Sequence, residues 1–168
     1  MIIVVMGPCG CGKSTIASAL AHRLGWLYLD ADDYHPLANV QKMAQGIPLE
    51  DADRMPWLEK LHEEIVKHEC LVLACSALKF SYRKILSQGL EESNESTVLY
   101  FVLLRADEDL LRKRLTQRQG NFVHPSLIAS QLKTLEPFNT NEWHLTVDAS
   151  KPCEYIVDMI LGSLCKSS

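Results

Sequence analysis

A segment near the start of the chain combines glycine, lysine and serine at a spacing that suits phosphate binding. Gly7–Ser14 reads G-P-C-G-C-G-K-S and matches the pattern G-x-x-x-x-G-K-[ST] in full. The glycines let the backbone curl so that several N–H groups point inward, and the start of a helix adds partial positive charge. The alternative is a glycine-rich turn that binds nothing. The position between a predicted strand and a predicted helix argues against that alternative.

This phosphate loop predicts that the chain binds ATP together with Mg²⁺. In such loops the lysine, here Lys13, reaches the β- and γ-phosphates, and the following hydroxyl, here Ser14, is a ligand of the metal. Lys13 is also a candidate catalytic residue, because it neutralises charge on the phosphoryl group in transfer. The residues assigned to the nucleotide in this part of the chain are Gly7, Pro8, Cys9, Gly10, Cys11, Gly12, Lys13, Ser14 and Thr15.

Three acidic residues, Asp30, Asp32 and Asp33, follow the second predicted strand. We expect this strand to lie next to the phosphate loop, and the D-x-D spacing places Asp30 and Asp32 on one side of an extended chain. One carboxylate can then hold a water bound to Mg²⁺, while the other accepts a proton from a substrate hydroxyl. We assign Asp30 to the metal and Asp32 to the proton, and the reverse assignment stays open. The alternative is a purely structural role, in which Asp32 or Asp33 caps a turn.

Basic residues fall near the predicted strand ends and helix starts that face the same cleft. Arg54 precedes Pro56, and Lys79 follows the third predicted strand. Cations at these places suggest an anionic acceptor, although a single Lys or Arg is more often a solvated surface residue. Arg114 and Arg118 are four residues apart on a predicted helix and share a face. The pair can close over the triphosphate, or it can simply suit the dipole at the end of its helix.

Short continuous apolar runs alternate with helical patterns along the chain, and continuous apolarity indicates strands covered on both faces. The predicted strands are Ile2–Met6, Trp26–Leu29, Leu71–Cys75, Val98–Leu104 and His144–Val147. The predicted helices are Lys13–Leu24, Pro36 to about Gly46, Pro56 to about His68, Ser81–Gln88, Asp107–Gln119, Ser126–Leu135 and Pro152–Leu164. The alternation predicts an α/β fold with a mostly parallel five-stranded sheet and helices on both faces. Ligands of such folds bind beyond the carboxyl ends of the strands.

Length and composition fit one compact domain, which we place at residues 1–168. The chain is 47% apolar and 23% charged, with a formal net charge of −4. The negative charge argues against a nucleic-acid partner, and we find no apolar stretch long enough to span a membrane. We therefore expect a cytoplasmic location.

The six cysteines are predicted to be reduced thiols, since a cytosolic chain with a full core does not depend on disulfides. Cys9 and Cys11 lie inside the phosphate loop, where inward N–H groups, the helix dipole and Lys13 favour negative charge. One prediction is therefore a reactive thiolate at one of these two residues. The alternative is that both thiols are buried and inert.

Beyond the phosphate loop, an ordered set of motifs resembles the gluconokinase family, whose members phosphorylate D-gluconate at its 6-hydroxyl. The resemblance runs from about residue 2 to the C-terminal helix, and its most specific parts lie between His35 and Trp57 and at Cys75–Lys79. The motifs in chain order are Asp30–Pro36, Asn39, Lys42–Met43, Gly46–Leu49, Asp51–Leu58, Cys75–Lys79, Tyr82–Arg83, Arg114–Leu115, Arg118–Gly120, Gln131 and Thr134–Pro137.

The resemblance implies a P-loop NTPase fold like that of nucleoside monophosphate and shikimate kinases, with an arginine-bearing lid at about residues 112–125. It also implies that D-gluconate is the acceptor, and family members often form homodimers. The residues that it places around the sugar acid are Asp32, His35, Arg54, Lys79 and Arg83. Arg114 and Arg118 would face the nucleotide, and Arg54 and Arg118 join Lys13 and Asp32 as candidate catalytic residues.

The chain departs from the family pattern at three places. Pro8, Cys9 and Cys11 stand where small hydroxyl residues and glycine are usual, which leaves backbone N–H donation intact. Asn121 replaces a histidine in the lid motif, and Phe80 replaces a basic residue. Two other readings remain: a kinase of the same fold with a shikimate-like or nucleotide acceptor, and a nucleotide-binding protein without catalysis.

Overall fold

The computed structural model describes residues 1–90, 97–118 and 123–165. Its strands form one parallel sheet in the order β2-β3-β1-β4-β5. The α/β prediction with a parallel five-stranded sheet is therefore confirmed. The strands are β1 at Ile2–Met6, β2 at Leu27–Asp30, β3 at Leu71–Ala74, β4 at Leu99–Arg105 and β5 at Trp143–Asp148.

Helices connect successive strands and cover both faces of the sheet, as βαβ units require. A turn of 3-10 helix at Ala31–Tyr34 directly follows β2. The α-helices of the described residues are α1 at Lys13–Leu24, α2 at Leu37–Ala44, α3 at Asp51–Ile65, α4 at Phe80–Ser87, α5 at Glu108–Gln117, α6 at Leu127–Thr134 and α7 at Cys153–Leu164. None of these helices is long and apolar enough to cross a membrane.

Strand β1 lies at the centre of the sheet and carries the phosphate loop at its carboxyl end. All its residues are buried, and its side chains alternate between two cores. Ile3 and Val5 pack with helices α1, α5, α6 and α7 on one face. Ile2, Val4 and Met6 pack with α3 and α4 on the other face. The loop that follows β1 is thus anchored in the most buried part of the molecule.

The end of strand β2 reaches the phosphate loop, as expected, through the bond from Ser14 to Asp30, although β2 does not pair with β1. Strand β3 pairs with both β1 and β2 and lies between them. Strands β2 and β5 are therefore edge strands, and most of their residues are partly or fully exposed. Full burial, which a continuous apolar run suggests, was the wrong expectation for these two strands, because such a run does not reveal whether a strand lies at the centre or at the edge of the sheet.

Helix α3 begins five residues earlier than the sequence suggested, at Asp51 rather than at Pro56. The reason is a reciprocal cap: the Glu50 side chain accepts from the third helical N–H, while the Asp53 carboxylate accepts from the Glu50 N–H at 2.9 Å. The cap stabilises the added turn, and Pro56 therefore lies inside the helix rather than at its start. It also places Arg54 on the first turn of a helix instead of in a loop.

Two glycines in open space give a matched test of the local backbone. Gly25 ends α1 at φ +67°, whereas Gly162 lies within α7 without a positive φ, and a Cβ would meet no atom within 4 Å at either residue. We expect Gly25→Ala to destabilise by about 1 kcal/mol, because the left-handed conformation penalises Cβ. Gly162→Ala should stabilise by about 0.5–1 kcal/mol, because alanine favours a helix. Urea unfolding measures the change in the free energy of unfolding for each variant. Changes of the same sign in the two variants would contradict this account.

Candidate active site

A cavity of about 570 Å³ opens beyond the carboxyl ends of the central strands. This volume lies in the range of about 300–1,000 Å³ that is usual for small-molecule sites. The cavity brings together three groups of predicted site residues. They are the phosphate-loop residues from Cys9 to Thr15, the acceptor-side residues Asp32, His35 and Arg54, and the helix α5 arginine Arg114 with the neighbouring Arg118.

The phosphate loop adopts a backbone that demands glycine at its first position. Gly7 has φ +143°, and a Cβ there would lie 2.8 Å from Cys11 Sγ and 3.0 Å from the Leu104 carbonyl. Two hydrogen bonds fix the loop from outside. The Gly7 N–H donates to the Ser76 carbonyl at 3.3 Å, and the Cys9 N–H donates to Gln131 Oε1 at 2.7 Å. The loop is therefore preorganised by two separate parts of the chain.

Lys13 lies at the start of α1 and folds back over the loop. Its ammonium group donates to the Pro8 carbonyl at 3.1 Å. Burial alone would lower the pKa of Lys13, but the neighbouring acidic groups, among them Cys11 and Asp32, raise it above its usual value. Lys13 is therefore a permanent cation among the inward-facing N–H groups, as phosphate binding requires.

The Asp30 carboxylate is held by three donors. Its Oδ2 accepts from the Ser14 hydroxyl at 2.5 Å and from the Tyr28 hydroxyl at 2.9 Å, while its Oδ1 accepts from the Asp32 N–H at 3.0 Å. The last bond caps the 3-10 turn, so the chain is not extended through the D-x-D motif as the sequence suggested. Asp30 nevertheless reaches the phosphate loop from the edge strand.

Ser14 and Asp30 form the part of the cavity with the chemistry of a magnesium site. A hydroxyl and a carboxylate supply the hard oxygen donors that Mg²⁺ prefers. The described residues contain no group of three or more His, Cys, Asp and Glu side chains that could cage a metal. This donor set fits an ion held largely by nucleotide phosphates and water, which is the usual pattern for Mg²⁺.

Asp32 lines the cavity opposite Lys13 and is reached by solvent through the open mouth. Close packing of protein atoms on its other sides raises the pKa of Asp32, and the positive charges of Lys13 and Arg118 oppose that rise. A carboxylate with a raised pKa is a better proton acceptor than an ordinary aspartate. The cavity position and the raised pKa of Asp32 are compatible with its predicted role as a proton acceptor.

His35 and Trp57 form one wall of the cavity. Their rings stack with centroids 4.1 Å apart and an angle of 11° between planes. The Trp57 indole N–H donates to the Ala31 carbonyl at 2.7 Å, which ties helix α3 to the turn that carries Asp32. Burial lowers the pKa of His35 to about 4, with a further contribution from Arg54. His35 is consequently neutral near pH 7, so it can both donate and accept hydrogen bonds.

Arg54 reaches the cavity from the first turn of α3. Its Nη1 donates to the Leu49 carbonyl at 2.8 Å and to the Tyr82 hydroxyl at 3.0 Å. The same Tyr82 hydroxyl donates to Asp51, which pairs with Lys79 at 3.0 Å. Lys79 does not line the cavity. It lies behind Arg54 in this chain of hydrogen bonds, although both were predicted around the acceptor.

The structure does not bring Arg83 into the cavity. Its side chain is 1% exposed, and its Nε lies 2.5 Å from Glu142 Oε1. Arg114 and Arg118 do line the cavity, as predicted. Arg114 donates to the carbonyls of Cys11 at 2.9 Å and Ala149 at 2.6 Å. The motif at Gly120–Phe122, including Asn121, lies outside the described residues.

A small apolar cluster contributes to the lining of the cavity. Met43, Leu49 and Leu127 are buried against one another, with Val123 packed beside them, and all but Leu127 line the cavity. The His124 N–H donates to the Met43 carbonyl at 3.0 Å, so the segment before α6 is joined to the end of α2.

Sequence reasoning assigned no site role to Gln131, Trp57 and Tyr28. Gln131 and Trp57 act through contacts between different elements, which local spacing does not reveal, whereas Tyr28 contacts a residue two positions away on its own strand. Gln131 supports the loop, Trp57 stacks on His35, and Tyr28 donates to Asp30. A usable signal existed for the first two, since both belong to the motifs shared with the resembled family.

Comparison with known proteins gives one family model and several relatives. The model, described as an AAA domain, matches residues 3–126. A probable gluconokinase of Xenopus tropicalis is 44% identical and aligns with 98% of this chain and 93% of its own length. A gluconokinase of Gluconobacter oxydans is 40% identical, with 95% and 88% covered.

Solved structures agree with the sequence comparison. A gluconokinase from Sinorhizobium meliloti 1021 superposes with a TM-score of 0.84 at 40% identity, covering 98% of this chain and 91% of that one. A shikimate kinase from Bacteroides thetaiotaomicron gives a TM-score of 0.68 at 19% identity, covering 98% of both chains, and supports the fold alone.

The two cysteines of the phosphate loop are buried, and this decides between the two expectations for them. Burial raises the pKa of the Cys9 thiol to about 11, despite the opposing charge of Lys13, and burial likewise raises the pKa of Cys11. The hypothesis of a reactive loop thiolate was therefore wrong. Desolvation outweighs the field of the loop, because both side chains belong to the hydrophobic core.

We expect both loop cysteines to resist alkylation in the native protein. Cys70 and Cys165 are exposed and serve as internal controls within the same chain. Iodoacetamide at pH 7.5, followed by peptide mapping, should label the two control residues while leaving Cys9 and Cys11 unmodified until the protein is unfolded. Labelling of a loop cysteine in native protein at the rate of Cys70 would contradict this assignment.

Proposed function

Because this chain belongs to the gluconokinase family, we propose that it transfers the γ-phosphoryl group of ATP to the 6-hydroxyl of D-gluconate. The observation that carries the proposal is the meeting of the phosphate loop with Asp32, His35 and Arg54 around one cavity. That arrangement provides a phosphate site and a polar acceptor site within the same cavity. We further propose a single kinase domain over residues 1–168, a cytoplasmic location and a homodimer, on the strength of the family pattern.

Binding of ATP is assigned to the phosphate loop and the α5 arginines. The inward N–H groups and Lys13 would hold the β- and γ-phosphates at the positive end of α1. Arg114 is already fixed against the Cys11 carbonyl, so its charge is prepositioned beside the loop. Arg118 shares the cavity with Asp32 and would balance charge on the phosphoryl group during transfer.

Ser14 and Asp30 would hold Mg²⁺ at the edge of the phosphate site. When bound, the ion neutralises charge on the phosphate oxygens and orients them. In the short bond from Ser14 to Asp30, the hydroxyl directs its proton toward the carboxylate. The lone pairs of the hydroxyl oxygen are then free to bind a metal ion. Asp30 therefore orients Ser14, and Tyr28 in turn orients Asp30.

Asp32 would accept the proton of the sugar hydroxyl. As the oxygen attacks the γ-phosphorus, the bond to the β–γ bridging oxygen breaks and ADP leaves, while the hydroxyl proton passes to the Asp32 carboxylate. The raised pKa of Asp32 suits this transfer, because a stronger base takes the proton more readily. Lys13, on the opposite side of the transferring group, stabilises the growing negative charge.

Arg54 is the residue we assign to the carboxylate of the sugar acid. Among the described residues that line the acceptor side of the cavity, it is the one permanent cation, since His35 is neutral near pH 7. A single guanidinium matches a single carboxylate and binds it through charge-assisted hydrogen bonds. The neutral His35 and the indole of Trp57 leave a wall suited to the hydroxylated carbon chain.

We predict that Arg54→Ala raises the KM for D-gluconate by about 10- to 100-fold, the equivalent of a charged hydrogen bond of about 1.5–3 kcal/mol. The KM for ATP should change little. Lys79→Ala is the matched control, since Lys79 is paired with Asp51 outside the cavity and its loss should raise the KM less. Steady-state assays with D-gluconate and D-glucose test the proposal. Equal turnover of the neutral sugar by wild-type protein would contradict the carboxylate site.

Asp32→Asn should lower kcat by about 10²–10⁴-fold, because the amide keeps the shape but cannot take a proton. The neighbouring Asp33→Asn is the control, since Asp33 is exposed and does not line the cavity. Calorimetric MgATP affinity should stay near the wild-type value in both variants. Similar kcat values for the two variants would show that Asp32 is not the base.

A further inference from the structure

Among residues 1–90, 97–118 and 123–165, Arg83 is the one charged residue that is almost completely buried. Its guanidinium is surrounded by acceptors on every side. It donates to the Ala77 and Leu78 carbonyls, both at 3.2 Å, and to the Pro137 carbonyl at 2.9 Å. Its Nε donates to Glu142 Oε1 at 2.5 Å, and its Nη2 lies 3.3 Å from the other Glu142 oxygen.

This arrangement leaves Arg83 unsuited to bind a substrate carboxylate. Glu142 already neutralises its charge in a bidentate pair, which uses the donor geometry that a second carboxylate would need. The ring of Phe138 covers the guanidinium, with its centroid 5.0 Å from Arg83 Cζ. The cavity is lined by other residues. The side chain therefore acts on the surrounding backbone instead.

The backbone that Arg83 holds belongs to two different segments. The first is the turn Ser76–Leu78, in which Ala77 takes the unusual φ of +44°. The second runs from 136 to 142, directly after α6. Two further bonds join the segments beside Arg83: the Glu136 N–H donates to the Leu78 carbonyl, and the Phe80 N–H donates to Glu136 Oε2, both at 2.8 Å.

The first segment fixes the phosphate loop directly, and the second is connected to it through helix α6. The turn supplies the Ser76 carbonyl, which accepts from the Gly7 N–H, and the second segment continues from the helix that supplies Gln131, which accepts from the Cys9 N–H. Arg83 thus lies where the two external supports of the loop meet. A displacement of either support would move donors that must point at the nucleotide phosphates.

We propose that Arg83 is a positioning residue: paired with Glu142, it locks the turn Ser76–Leu78 to the segment 136–142 and thereby sets the phosphate loop for MgATP. The assignment rests on the proposed kinase function for its nucleotide, but it does not depend on the identity of the acceptor. It replaces a direct contact with the sugar acid, which the family resemblance implied for Arg83.

The two roles predict opposite consequences of changing Glu142. If Arg83 positions the loop, Glu142→Gln and Arg83→Lys both weaken MgATP binding, because both break the same pair. If Arg83 binds the sugar acid, Glu142→Gln frees its charge and leaves or improves gluconate binding. Glu108→Gln is the matched control, since it breaks the exposed Glu108–Arg112 pair at 2.6 Å on helix α5.

Isothermal titration calorimetry of MgATP, without acceptor, should show a Kd about tenfold or more above wild type for Glu142→Gln and for Arg83→Lys, which is about 1.4 kcal/mol or more. The Kd of the double variant for MgATP should be no higher than that of the single variant with the higher Kd, because the two residues act as one unit. Glu108→Gln should bind like wild type. If Arg83→Lys fails to fold, Glu142→Gln decides the question.

Two results would overturn the proposal. The first is an unchanged MgATP Kd with a raised KM for D-gluconate in Arg83→Lys, which would place Arg83 on the acceptor. The second is an unchanged Kd and KM with a lowered melting temperature, which would make the pair a stabilising element only. Lack of gluconate turnover by wild-type protein would instead refute the proposed function and leave the calorimetric comparison intact.

Discussion

The convergence of backbone N–H groups at the positive end of helix α1 is the interaction on which the rest of the structure depends. A loop that turns its donors inward must hold glycine at Gly7, where a side chain would collide with Cys11 and the Leu104 carbonyl. It is also anchored by bonds to the rest of the protein. The central, fully buried strand β1 provides the anchor from below, and the Ser76 carbonyl and Gln131 fix the loop from its sides.

The same constraint decides the chemistry of the side chains around the loop. Lys13 lines the cavity, whereas the thiols of Cys9 and Cys11 belong to the core, where burial raises their pKa values. Asp32 stands between these two environments. It is packed closely enough for its pKa to rise and lies close enough to Lys13 for the rise to be limited. A raised pKa of this kind suits the proton acceptor that we propose Asp32 to be.

Local features of the sequence were sufficient for much of this architecture. Helix α1 has the bounds predicted from its apolar spacing and from Gly25, and the phosphate loop lies where its motif placed it. Features set by contacts between distant residues were not predictable in this way. The insertion of β3 between β1 and β2 depends on pairing across the sheet. The early start of α3 depends on a reciprocal cap that outweighs the tendency of Pro56 to begin a helix.

The candidate site shows the same division. Asp32, Arg54 and Arg118 could be named from spacing and charge, and the structure brings them to one cavity. The pairing of Arg83 with Glu142, 59 residues away, could not be predicted. A basic residue near a strand end looks the same in the sequence whether its side chain faces a ligand or the core. Burial and partners, rather than residue type, separate a residue that meets substrate from one that supports it.

Phosphorus NMR of the reaction product tests the central claim most directly. Purified protein with MgATP and D-gluconate should convert ATP to ADP and yield one new phosphomonoester, whose phosphorus couples to the methylene protons of carbon 6. The account predicts this product and its absence when D-gluconate is omitted or D-glucose replaces it. Consumption of ATP without a gluconate phosphoester, or a phosphoryl group on another hydroxyl, would contradict it.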